Sequence, residues 1–281
     1  MNLTTLSGIS GLFAREMKKW FRQRVQIVFA FVIPLMWLTL FGKSFNITYF
    51  LNLPEGIPPD VKAIVQKAME EILLRVFGSL DYFNFFAVGM LSVFALFTSM
   101  WSGMSLVFDR RLGYLERFLV APIPRESIYL AKVFSALAKG LIQFTIMLLI
   151  TFALGLTPKQ GFTAIDMMGL YMVIAGLILA LSAIFTAIAI RITSHDTVIS
   201  IANLVNIPLM FTSNAIFPLE QMPDWMRVIA AVNPLTHSIT LTRYLVLGIG
   251  SQAQVILSTF YLAGFTAVCV FLGVAAARRY L

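Results

Sequence analysis

Charge is scarce in this chain. Asp, Glu, Lys and Arg make up 12% of its 281 residues, where a soluble domain carries about 25%. With 59% hydrophobic residues and a mean hydropathy of +0.87, that shortage excludes an ordinary soluble domain and predicts an integral membrane protein. Cysteine is nearly absent too. The single Cys269 sits in an apolar run, which excludes a disulfide framework or a cysteine metal site and reads as packing. There are two histidines, and His237, with no Cys or second His beside it, is a poor metal ligand.

Two further absences concern energy. A proton- or sodium-driven carrier needs ionisable groups at mid-membrane, and none falls near the centre of an apolar run; Lys43, Lys132, Lys139 and Asp166 lie towards the ends, where side chains can snorkel. The chain also lacks a nucleotide-binding loop of its own. "GKS" at Gly42 to Ser44 imitates one, but position 37, where the motif needs Gly, is Trp. Paired histidines, intramembrane carboxylates and a nucleophile with a base are all missing, so no enzyme constellation is found. A non-transporting membrane enzyme or assembly factor is the alternative from another class, and a secondary carrier comes third.

What is present is six apolar segments of about the 20 residues that a roughly 30 Å hydrocarbon core requires: 25–45, 83–108, 132–156, 166–190, 197–217 and 253–277. The fold class expected is an all-α integral membrane protein: an interface helix over 1–24, then a six-span domain over 25–281. Lys and Arg accumulate in cytoplasmic segments. With the N-terminus inside, the inner segments hold Arg15, Lys18, Lys19, Arg22, Arg24, Arg110, Arg111, Arg117, Arg125, Lys132, Arg191, Arg278 and Arg279, with Lys139 near that leaflet; seven of the 21 Lys and Arg fall outside. Both termini are therefore expected in the cytoplasm, in a multi-pass protein of the cytoplasmic membrane.

At 100° per residue, the first helix places Leu6, Ile9, Phe13, Met17 and Trp20 on one face and Arg15, Lys18, Lys19 and Arg22 on the other. That pattern suits a helix lying on an anionic membrane surface, though a plain extension of the first span also fits. The external segment 46–82 contains a helix start at Pro59-Asp60 and apolar recurrence at Val61, Ile64, Val65, Ala68, Ile72 and Val76. The second external segment, 217–252, contains two short apolar stretches, 224–232 and 235–247, divided by Asn233-Pro234, and reads as a re-entrant hairpin packed on the top of the bundle. Between spans two and three, 109–131 is basic and punctuated by Pro122 and Pro124. Leu112 to Val120 can form a short rigid helix able to enter a cleft on a soluble partner; a cation-rich connecting loop fits the same residues.

The fifth segment, "TVISIANLVNIPLMFTSNAIF", carries a polar stripe of Asn203, Asn206, Met210, Ser213 and Asn214, with Pro208 interrupting it. Such a stripe faces protein or a cavity. Together with Phe97 and Trp101 of the second span it is the expected substrate pathway, interhelical glue being the competing role. The fourth span has Gly169, Gly176, Ala180, Ala183 and Ala187 at heptad-like spacing, a close-packing signal.

"RRLGYLERFLVAPIPRESIYLAKV" resembles the coupling-helix segment of type-2 ATP-binding-cassette (ABC) transporter permeases, in which a Gly/Glu-containing helix precedes a proline-bearing turn and a Lys entering the third span. "FPLEQMPDWMRVIAAVNPLTHSITLTRYLVLG" is similar to the same family's re-entrant segment, with its proline-rich entry, Trp, Asn-Pro-Leu-Thr and later Arg. The second motif most resembles the daunorubicin-resistance-like, multidrug branch; exporters of polysaccharides or lipid-linked glycans share the architecture. The resemblance implies a permease that exports a hydrophobic or amphipathic compound. It implies a second permease copy and two separate ATPase subunits, which would bind the ATP and Mg; this chain would hold no cofactor and bind no nucleic acid. It assigns ATPase coupling to Gly113, Tyr114, Leu115, Glu116, Arg117 and Arg125, the interface helix to Arg15, Lys18, Lys19 and Trp20, and the hairpin to Asn233, Pro234 and Arg243. The 59–77 helix departs from the most compact members.

Overall fold

The computed structural model describes residues 3–43, 58–77 and 82–281. Helices account for every long element: α1 (Leu3–Arg22), α2 (Arg24–Met36), α3 (Pro59–Phe77), α4 (Tyr82–Arg111), α5 (Tyr114–Leu119), α6 (Arg125–Ala153), α7 (Ala164–Ala189), α8 (His195–Phe211), α9 (Asp224–Ala231), α10 (Pro234–Leu247) and α11 (Gln252–Tyr280). Among the described residues, α4, α6, α7 and α11 are long and apolar enough to cross a membrane; the bent pair of α1 with α2 and its continuation makes a fifth candidate.

The two remaining expected spans differ from expectation for local reasons. Pro34 lies inside α2 and removes a backbone donor. One turn later the chain widens into a π-helix, Trp37–Lys43, where the Thr39 hydroxyl donates to the Leu35 carbonyl at 2.8 Å. In the fifth segment, α8 holds 17 residues, about 26 Å of helix, and ends three residues beyond Pro208. Residues 44–57 and 78–81, the end of the expected first span and part of the expected external segment, lie outside the described residues.

α4 is the axle. It is apolar all round and packs against α6, α7, α8 and α10, which is how a helix without a polar face is accommodated. Its approach to α7 is very close: a Cβ on Gly103 would stand 2.5 Å from the Phe185 carbonyl oxygen, and Ser102 donates to the Ser182 carbonyl at 3.1 Å. The small residues of α7 work as expected. Ala180 and Ala183 are buried, and the Gly176 carbonyl accepts from Thr266 of α11 at 3.1 Å. Cys269 is buried and free in the same packed cluster as Tyr129 and Ile128.

α3 keeps its expected bounds, and its apolar face stays open. Val61, Ile64, Val65 and Ile72 are exposed, and the helix touches the body through Leu73 and Phe77, whose ring lies 5.2 Å from that of Phe85. α1 differs from expectation. It runs alongside the first half of α6: Ser127 donates to the Thr5 carbonyl, Gly8 meets Ile123, and Glu16 reaches Lys132 and Lys139 further along. The line it buries, Thr5, Gly8, Glu16 and Trp20, is rotated from its apolar stripe, so Leu6 stays exposed and Ile9, Phe13 and Met17 are half-buried.

Candidate functional site

At one end of the bundle the chain leaves α4 through Gly113, whose φ of 69° is left-handed and favours glycine, and enters α5. This helix spans six residues, shorter than the expected Leu112 to Val120. The chain bends from Val120 to Ile123, and Pro124, extended, opens α6. Leu115 is buried as its anchor. Leu112, Tyr114, Glu116, Arg117, Leu119, Arg125 and especially Val120, 85% exposed, stand outward. α5 is thus a small, partly apolar knob carrying opposite charges.

Arg15 of α1 links the knob to the bundle. Its guanidinium lies 4.7 Å from the Tyr114 ring centre and 5.0 Å from that of Phe118, and it donates to both Asp109 carboxylate oxygens at 3.2 Å. Asp109, 0% exposed at the end of α4, also takes the Lys132 ammonium of α6 and, at 3.5 Å, Lys19. Lys132 reaches on to Glu16 at 2.7 Å; Lys139 meets the same carboxylate at 3.1 Å, and Ser105 donates to it at 2.8 Å. Burial raises the Glu16 carboxyl, but the charges of Lys132 and Lys139 and the hydrogen bonds from Lys132 and Ser105 outweigh it and hold the group well below its ordinary value of 4.5. Its stabilisation is therefore complete above that value and is lost as pH falls below it.

This cluster corrects one expectation. Lys132 and Lys139 do not snorkel; both turn inward, Lys132 to 3% exposure. Of the assigned α1 residues, Arg15, Lys19 and Trp20 join the site, while Lys18 is exposed away from it. Glu16, Asp109, Ser105 and Lys132 are the site residues sequence reasoning missed. The signals were Glu16 as the one acid among the cations of 15–24 and Lys132 and Lys139 seven apart on one helix face. Nearby, Arg110 donates to the Ile192 carbonyl at 2.7 Å and closes the end of α7, and Arg278 of α11 pairs with Glu126 of α6 at 3.0 Å.

At the opposite end, α9 and α10 form the expected broken hairpin, and α10 goes deeper than a lid. It packs between α4, α7 and α11, with Pro234, Leu235, Ile239 and Val246 buried. The Asn233 side chain caps it by accepting from the Leu235 amide and ties it to α8 by donating to the Leu209 carbonyl at 2.8 Å. Arg243, fully enclosed, donates to the carbonyls of Phe85 at 3.2 Å and Ala215 at 3.1 Å, with its guanidinium on the Phe85 ring. His237 is satisfied at both ring nitrogens, by Ser258 and the Ala231 carbonyl, and stacks on Tyr261.

The expected substrate stripe is divided. Asn203 is exposed; Asn206, Met210 and Ser213 are buried, and Ser213 donates back to the Met210 carbonyl. Trp101 and Phe97 do not join them at one surface: Trp101 lines a cavity beside α1 and α6, and Phe97 is half-buried against the core. Asn206 is 0% exposed, with its amide 3.9 Å from the Met100 sulfur and its Oδ1 without a hydrogen-bond partner. It faces α4 and is closed to solvent in this conformation. Asn206→Leu relieves a buried unpaired acceptor, so the variant should melt no lower than the parent in detergent, with a gain of up to about 1 kcal/mol; a clear loss of stability would contradict this geometry.

The profile of the family described as "ABC-2 type transporter" matches residues 8–247, from α1 through α10. The chain is 30% identical over 228 residues to ycf38 of Cyanophora paradoxa, provisionally named a transport permease, covering 80% of this chain and 69% of that one. It is 25% identical to the daunorubicin resistance ABC transporter permease protein DrrB1 of Streptomyces coeruleorubidus, over 67% and 66% of the two chains. To DrrC of Mycobacterium tuberculosis, provisionally named a doxorubicin resistance ABC transporter permease, it is 23% identical over 91% and 82%. Matched over most of its length, on helices that include both the α5 knob and the broken hairpin, this chain belongs to the ABC-2 type transporter family of membrane permeases.

Proposed function

We propose that the chain is the membrane half of an ATP-driven exporter that moves a hydrophobic or amphipathic compound out across the cytoplasmic membrane. The observation that carries this reading is the α5 knob: exposed at the bundle end, yet joined through Tyr114, Phe118 and Arg15 to the carboxylates that bind α1, α4 and α6 together. A push on α5 is then transmitted to three helices rather than absorbed by a loop. The family implies a separate ATPase subunit as the source of that push. Relatives named for daunorubicin and doxorubicin resistance favour an amphipathic cargo.

In this reading α2 with its π-helical continuation is the first span and α8 the fifth, giving six spans with both termini and α5 in the cytoplasm and α3, α9 and the mouth of the hairpin outside. Two permease copies stand on two ATPase subunits. The outward face of α8 and its exit, with Leu204, Ile207, Phe211 and Phe217 exposed, supports contact with a second copy. The pathway runs along that contact past Asn203.

A cysteine at Arg117, coexpressed with the cognate ATPase, should cross-link to it in membranes, whereas one at Lys67 of α3 should not. Equal cross-linking at both positions, or none at Arg117 in a complex that copurifies, would overturn the docking role of α5.

A further inference from the structure

The ion cluster around Glu16 and Asp109 is unbalanced. Arg15, Lys19, Lys132 and Lys139 surround two carboxylates, which leaves two positive charges uncompensated in a partly buried place. A surplus of this kind costs energy unless an anion completes it. Beside the cluster lies an open cavity of about 80 Å³, walled by α1, α2, α4 and α6. Lys19, Lys132 and Lys139 line it against one acid, Glu16; Trp20, Trp101 and Phe108 form its apolar side. An ammonium has three donors, and the Lys19 and Lys139 side chains, 30% and 18% exposed, remain accessible from the cavity.

The cavity also borders the apolar exterior. Ala30 of α2 lines it, and the rest of α2 presents Val25, Val28 and Phe29 outward, as a lipid-facing helix does. Tryptophan beside cations at the foot of such a helix is the chemistry of the headgroup level of a bilayer.

We propose that this cavity binds the phosphate headgroup of an anionic membrane lipid, with Lys19 and Lys139 on the phosphate and Trp20, Trp101 and Phe108 against the start of the acyl chains. The site is independent of the transport pathway, so its test needs no transport. The phosphate completes the charge of the cluster, and the lipid thereby ties the α1–α2 elbow to α6.

The test titrates the purified full-length permease in neutral detergent with short-chain phosphatidylglycerol, short-chain phosphatidylcholine or inorganic phosphate, reading the shift in melting temperature as an apparent Kd. Phosphatidylglycerol should stabilise the protein in a saturable way and phosphatidylcholine should not. Lys19→Gln with Lys139→Gln should weaken phosphatidylglycerol roughly tenfold or more, while Lys19→Arg with Lys139→Arg should retain it. Lys19→Gln alone leaves Asp109 with Arg15 and Lys132 and serves if the double variant fails to insert. Equal protection by the two lipids, or phosphatidylglycerol binding unchanged in the Gln variants, would overturn the site. Protection by inorganic phosphate at the same concentration as the lipid would overturn the lipid as its occupant.

Discussion

Lys132→Met should lower the stability of the purified permease by about 3–5 kcal/mol, the cost of removing one partner from a buried ion cluster. Methionine replaces the lysine stem at similar volume, so the loss isolates the charge. Glu16 and Asp109 would both lose the most deeply buried cation they share; Arg15 also meets both carboxylates and Lys139 meets the far oxygen of Glu16, but these side chains are more exposed and their contacts more screened. Adding Asp109→Asn should not add its own full cost, because the two side chains belong to one network. Melting in detergent measures both. A Lys132→Met protein as stable as the parent would mean that water, rather than the lysine, satisfies these carboxylates.

Reversing the charges of α5, with Glu116→Lys and Arg117→Glu together, should abolish export driven by the partner ATPase while the permease still inserts and melts as the parent does. Both side chains are exposed and neither belongs to the ion cluster, so the fold has little to lose: surface ion pairs contribute about 0–1 kcal/mol. Like charges brought together at an interface, in contrast, cost several kcal/mol. The measurement is ATPase activity and efflux on the same membranes. Export retained at parental rates in the reversed variant would reduce α5 to a connection between α4 and α6.

The parts of the fold legible in the sequence were those set by neighbours along the chain. Pro59-Asp60 marks the start of α3, Asn233-Pro234 divides α9 from α10, and Gly113 with Pro122 and Pro124 brackets the knob; each acts through backbone geometry within a few residues. Other features depended on distant partners. The Glu16–Lys132 bond joins residues 116 apart in sequence, and periodicity within α1 or α6 alone could not reveal it. Lys132 read as a snorkelling residue because its carboxylates lie on other helices. Asn206 was correctly placed on the protein-facing side of α8, but whether that side met a cavity or another helix depended on Met100 of α4. The same limit applies to α3, whose apolar face was legible and whose exposure was not.

In the proposed mechanism, helix movements started at α5 by a separate ATPase carry an amphipathic compound outward through this chain. Its most direct test is the permease and its cognate ATPase copurified into liposomes with the ATPase side outward, measuring uptake of a lipophilic fluorescent cation such as daunorubicin. Uptake should need hydrolysable ATP and be lost with Glu116→Lys and Arg117→Glu. Uptake independent of ATP, or ATP-driven uptake unaffected by those substitutions, would contradict that mechanism.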